Sequence, residues 1–129
     1  MADDKSKAFK KAKKRDFKEM RRPMGVYRVH CKKNGKSLVG SSADLTAILN
    51  RHRAELSMAG HRNRRLQDDW RTFGPDAFDF EVLDTLERPE DDTGYDPVDD
   101  LHTLEELWLE KLTPYGEKGY NRPPRPKDS

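Results

Sequence analysis

The sequence predicts an α+β domain, a small three-stranded antiparallel or mixed sheet flanked by helices. Three observations carry that reading. Two short segments, residues 26–31 and 37–40, meet at an Asn34-Gly35 turn. Helix-periodic apolar residues then run over 45–73, and a third alternating segment, Phe78, Phe80 and Val82, follows Gly74-Pro75.

The first two segments read as a hairpin. Asn-Gly favours a type I′ turn, whose two central residues both have φ > 0 and match the twist of a two-residue connection. On the first strand, Tyr27, Val29 and Cys31 share one face, and Val26, Arg28 and His30 the other. Ser41, Ser42 and Asp44 are N-cap candidates for the next helix, whose apolar face holds Leu45, Ile48, Leu49 and Leu56. A second helix is expected over 62–73, with Leu66, Trp70 and Phe73 facing inward. Strand three is expected over 77–83, and a last helix over 101–112, ending before Pro114. One domain over 24–121 accounts for these elements, with a basic segment at 1–23 and a Pro-rich tail at 122–129.

Net charge is only +2, but it is unevenly spread. Residues 5–22 carry ten Lys or Arg against two acids, whereas residues 84–100 carry eight acids against one Arg. The basic end invites a polyanion, and the acidic loop repels one or meets a basic protein partner. A single cysteine, Cys31, excludes an internal disulfide and a Cys-rich zinc site. No apolar run approaches spanning length, so no membrane partner is expected and the expected location is cytoplasmic.

The last helix contains the most telling position. On a wheel of about 100° per residue, Leu101, Leu104, Leu107, Trp108, Leu109 and Leu112 fill an apolar arc, and Glu105 falls inside it. A carboxylate there needs a cation or donors. It is either an edge-of-core ion pair or a metal ligand at the rim of a cleft. Phosphodiester cleavage needs a deprotonated water, balanced phosphate charge and a stabilised leaving oxygen. One divalent cation on a carboxylate, a cationic side chain and a phenol or imidazole can supply all three. Mg²⁺ (or Mn²⁺) suits a single carboxylate completed by waters and phosphate oxygens.

Over residues 24–121 the chain resembles the GIY-YIG nuclease family, in its homing-endonuclease-like branch. Gly25-Val26-Tyr27 matches the first motif and Gly40 the glycine of the second, with an eleven-residue step from Tyr27 to position 38. Ser41-Ser42, Asp44-Leu45, the Leu66-Gln67-Asp68-Asp69-Trp70 run and the segment 73–83 fit as well. So do Glu105-Glu106-Leu107-Trp108 and Gly119-Tyr120-Asn121. The resemblance implies metal-dependent DNA endonuclease activity, with Tyr27 as general base or relay and Glu105 as metal ligand. It implies Asn121 as a polar anchor, and His52 and His61 as auxiliary groups at the phosphate. Two departures are specific: Leu38 stands in place of the second tyrosine, and Ile48 in place of the helix arginine. Neither can move a proton or balance phosphate charge. Arg51, about 60° around the helix from Ile48, is the candidate replacement.

Arg53, Arg62, Arg64, Arg65, Lys13 and Lys14 are the candidates for nucleic-acid contact, because Lys and Arg near phosphates add affinity without sequence preference. Two alternative functions stay open: a catalytically degenerate nucleic-acid-binding module, and a protein-interaction domain acting through the acidic loop.

Overall fold

A computed structural model describes residues 23–89 and 94–123. The basic segment with Lys13 and Lys14, most of the tail and part of the acidic loop lie outside the described residues. The element order is β1 (Met24–Cys31), β2 (Ser37–Ser42), α1 (Leu45–Ser57), α2 (Arg64–Phe73), β3 (Phe78–Leu86) and α3 (Val98–Leu112). Single turns of 3₁₀ helix at Pro75–Ala77 and Gly116–Lys118 precede β3 and follow α3. The sheet is antiparallel with order β2-β1-β3, so β1 is central. Each strand and the last helix extend two or three residues beyond the span predicted at one end, where the apolar pattern had already faded.

The hairpin turn differs from expectation. Gly35 has φ +79°, but Asn34 does not have positive φ, so the turn is not type I′. The loop is wider: Cys31 N–H donates to Lys36 O and Gly35 N–H to Cys31 O. Asn34 is used through its side chain, which accepts Lys36 N–H and donates to Asp69 on α2. The side chain of Asn34 thus ties the hairpin loop to α2.

The core forms where one face of the sheet meets α1 and α2. Val29 sits in register between Leu38 on β2 and Phe80 on β3. With Cys31, Leu56, Leu66, Trp70, Ala77, Phe78 and Tyr120 these residues form one apolar cluster. Asp44 caps α1 by accepting Ala47 N–H, and Asn63 caps α2 by accepting Leu66 N–H. α3 packs on β1 and β2. Its buried arc is narrower than the wheel implies, because Leu107 is 57% exposed. Phe73, expected inward, is the last residue of α2 and is 38% exposed. After α3, Gly119 bridges Ser37 and Tyr120 N–H donates to Ser37 O, which lays the chain along the edge of β2. Among the described residues no helix is long and apolar enough to cross a membrane.

Candidate active site

Tyr27 lies in mid-β1, opposite Gly40 on β2 and Val82 on β3. Its ring covers Gly40: a Cβ at that position would stand 2.6 Å from the hydroxyl and 2.8 Å from Cζ. Only glycine lets the phenol cross β2 at this level. The hydroxyl then meets α1, where His52 Nε2 is 2.9 Å away. On its other side His52 Nδ1 lies 2.8 Å from Nε2 of His61, in the loop between α1 and α2.

Burial, then the charge of Glu105, pushes the Tyr27 phenol up to about 12, with Arg51 opposing. Burial and the neighbouring His61 push His52 down to about 4. Burial also holds His61 below its ordinary value, against the pull of Glu55. Both imidazoles are therefore neutral near pH 7.

Glu105 reaches the same region from α3. Its Oε1 accepts the Ser41 hydroxyl at 2.6 Å. Ser41, a cap candidate in the sequence, thus orients the carboxylate. Among the described residues it is Glu105's one hydrogen-bond partner, which leaves Oε2 available to a cation. Asn121 closes the same edge: its Oδ1 accepts Val39 N–H at 2.8 Å and its Nδ2 donates to Val39 O at 2.9 Å. This amide clasp ties the last segment to the residue preceding Gly40.

The cationic candidates divide. Arg51 donates to Glu55 Oε2 at 3.1 Å, with its side chain 67% exposed, and its charge is felt at Tyr27, His52 and His61. The Arg53 guanidinium stacks 4.2 Å above the Phe80 ring, covering the core rather than facing Tyr27. Arg62, Arg64 and Arg65 line a groove of about 680 Å³ with Arg122, Tyr120 and Asn121. Within it, Arg65 is also tethered to the Gly116 carbonyl. At the two departures, Leu38 packs against the core and Ile48 is half-buried on α1.

Sequence reasoning missed several residues. Gln67 is buried on α2, accepts His61 N–H at 3.0 Å and donates to Leu56 O at 3.1 Å. On the wheel it lies about 60° beyond Trp70, outside the apolar arc of Leu66, Trp70 and Phe73, so it gives no signal like that of Glu105. Glu55 is another. With His52 and His61 it brings three ligand atoms within 4.8 Å of one another, by spacing alone a group able to hold a cation. No periodicity marks it.

A hydroxyl, a hydrogen-bonded imidazole pair and an oriented carboxylate thus stand together on the hairpin, α1 and α3 of this sheet. The chain has the fold of a GIY-YIG homing-endonuclease catalytic domain. Among solved structures it is similar to the catalytic domain of the homing endonuclease I-TevI, at 26% identity and a TM-score of 0.59. That match covers 76% of this chain and 96% of the other. A mutant of the catalytic domain of intron endonuclease I-TevI matches at 23% identity and a TM-score of 0.61, covering 77% and 92%. No family model matches the sequence, and neither does any curated protein.

The depressed His52 has a consequence for stability. The unfolded chain binds a proton at His52 below about 6.5, while the folded chain resists until about 4. The unfolded state therefore holds more protons across that window, and stability rises with pH through it. The contribution is complete above 6.5 and is lost as pH falls through about 4. Discounted for the partial exposure of the ring, it amounts to on the order of 1–2 kcal/mol. Denaturant unfolding at pH 7.5 and 4.5 should show the loss, and His52→Gln should reduce it. An equal loss in both proteins would remove His52 as its source.

Proposed function

We propose that this chain is a metal-dependent DNA endonuclease that hydrolyses phosphodiester bonds with a single Mg²⁺ or Mn²⁺ ion. The observation that supports it most is the convergence of Tyr27 and Glu105: the phenol of the central strand covers Gly40, and the next residue, Ser41, holds the carboxylate from α3 at 2.6 Å. The donor set suits the ion, since a lone carboxylate with one oxygen held by Ser41 offers a hard oxygen ligand to a cation that keeps most of its waters. When bound, such an ion supplies Lewis-acid charge at the phosphate and acidity to water. Tyr27 Oη, after its own proton has passed to solvent on the side away from His52, would take the proton of the attacking water, with His52 fixing that oxygen from behind. Arg51 is the nearest candidate to balance charge on the phosphate. The arginine groove beside Asn121 would hold the backbone of the substrate, giving affinity without base readout.

A second reading is favoured by Leu38 and Ile48. With one matched position packed in the core and the other apolar, the domain would bind nucleic acid and leave it intact. Nicking of supercoiled plasmid at low salt separates the two. The first reading expects nicking that depends on added Mg²⁺ or Mn²⁺ and stops on chelation, while DNA binding weakens steeply as salt rises. Binding with that salt dependence and no nicking in either metal would select the second. Absence of binding to any DNA or RNA at low salt would end both, leaving a protein-interaction domain.

A further inference from the structure

The Tyr27–His52–His61 chain has a built-in direction, and its origin is a main-chain amide outside the motif residues. Asn63 N–H lies 3.0 Å from His61 Nδ1. An amide N–H can only donate, so Nδ1 presents its lone pair and the neutral ring carries its proton on Nε2. That proton points at His52 Nδ1, 2.8 Å away, which must accept it. His52 then carries its own proton on Nε2, 2.9 Å from Tyr27 Oη. The Tyr27 oxygen therefore receives a hydrogen bond from behind, and its own hydrogen has to leave by another direction.

The far end of this chain is held on three sides. The Asn63 side chain caps α2 through Leu66 N–H and donates to Tyr120 O at 2.8 Å. The His61 amide is gripped by buried Gln67, which in turn holds the last turn of α1 through Leu56 O. Asn63 N–H thus cannot swing away from the His61 ring without undoing a helix cap.

We propose that Asn63 N–H fixes the proton positions of His61 and His52, so that His52 permanently donates to Tyr27 and the Tyr27 proton leaves only on the side away from His52. The reverse arrangement, Tyr27 donating to His52 and His52 to His61, would strip both nitrogens of His61 and make an imidazolate. His61 is then a positioning residue acting through His52. The same polarity bears on the His52–Glu55–His61 group. A cation there needs the Nε2 lone pair of His61, and that nitrogen carries a hydrogen. The group is a fixed chain of hydrogen bonds that carries no proton away from Tyr27, and it leaves the cation to Glu105.

The proton positions hold whether or not the chain cuts DNA; their catalytic consequence rests on the nuclease reading. Once the Tyr27 proton has passed to solvent, the phenolate keeps the hydrogen bond from His52 Nε2–H. It then takes a proton from the attacking water and returns to the neutral phenol.

Nitrogen-15 NMR of histidine side chains in the full chain, at neutral pH, reads the tautomers directly. Both His52 and His61 are expected as Nε2–H forms. An Nδ1–H form at either ring overturns the proposal, as does a Zn²⁺ titration that shifts the nitrogens of both rings together. His61→Gln puts an amide N–H where His61 Nε2–H stood and should keep the His52 tautomer. His61→Leu removes the donor and should let His52 populate the Nδ1–H form. A His52 tautomer unchanged in His61→Leu would show that His61 does not set it. The native spectrum decides even if that variant fails to fold. Nicking should fall about tenfold or more in His61→Leu, the loss of roughly one buried hydrogen bond to the reacting group, and less in His61→Gln. If the native protein shows both Nε2–H tautomers but never nicks DNA, the proton positions stand and the nuclease reading fails alone.

Discussion

Glu105→Ala is expected to abolish plasmid nicking in Mg²⁺, lowering the rate by about 10²–10⁴-fold, because several kcal/mol of charge stabilisation leaves with the cation. The reason lies in the coordination set. Glu105 is the carboxylate whose charge reaches the Tyr27 phenol, and Ser41 is its one hydrogen-bond partner among the described residues. Removing it deletes the anchor for the cation. Ser41→Ala should cost far less, roughly tenfold, since it loosens one oxygen of a carboxylate that remains. DNA binding separates a chemical from a structural effect: Glu105→Ala should bind DNA at least as tightly as the native chain, having lost a negative charge near the phosphate. Nicking that survives Glu105→Ala undiminished would place the cation elsewhere. A cation at the His52–Glu55–His61 group instead would also overturn the proton positions assigned to His61 and His52.

That Glu105 could be singled out from sequence at all reflects a general property of helices. A wheel reports which residues share a face, and a charge on an apolar face needs a partner. The hairpin, both middle helices and the third strand were legible for similar reasons, each from its own period. What the wheel cannot report is the partner. Ser41 looked like a cap because caps are local, yet its hydroxyl turned to an acid 64 residues away. Asn34 looked like half of a type I′ turn, yet its amide reaches Asp69 on α2. The clasp of Asn121 on Val39 and the grip of Gln67 on His61 are of the same kind. Tyr27 was legible from its motif, but the direction of the protons behind it was not. That direction depends on a main-chain amide at Asn63, whose identity as a residue type carries no information about it.

The unmatched helix position gives the second large effect. Glu55 holds Arg51 at 3.1 Å and lets it balance the phosphate only in part. Ile48→Arg is therefore expected to raise nicking by roughly ten- to a hundredfold, somewhat less than the 10²–10³ lost when one preorganised donor is removed from such a site. Ile48 is half-buried on α1, so an arginine there can lay its aliphatic stem along the surface and keep its guanidinium toward the site. The nearest like charge is Arg51, three residues on, and Glu55 already neutralises part of it at 3.1 Å. Repulsion should therefore cost only a few tenths of a kcal/mol. Arg51→Ala in the native chain tests the opposite assignment. If Arg51 already balances the phosphate, its removal should cost about 10²-fold or more and Ile48→Arg should add little. If Arg51 is only the partner of Glu55, its removal should be nearly silent and Ile48→Arg should supply what the native helix lacks. A native chain without activity that gains it through Ile48→Arg alone would mark the natural protein as a binding domain one side chain short of a nuclease. An inert Ile48→Arg that still binds DNA would shift the missing function to Leu38, which pairs with Val29 across the hairpin and packs against the core.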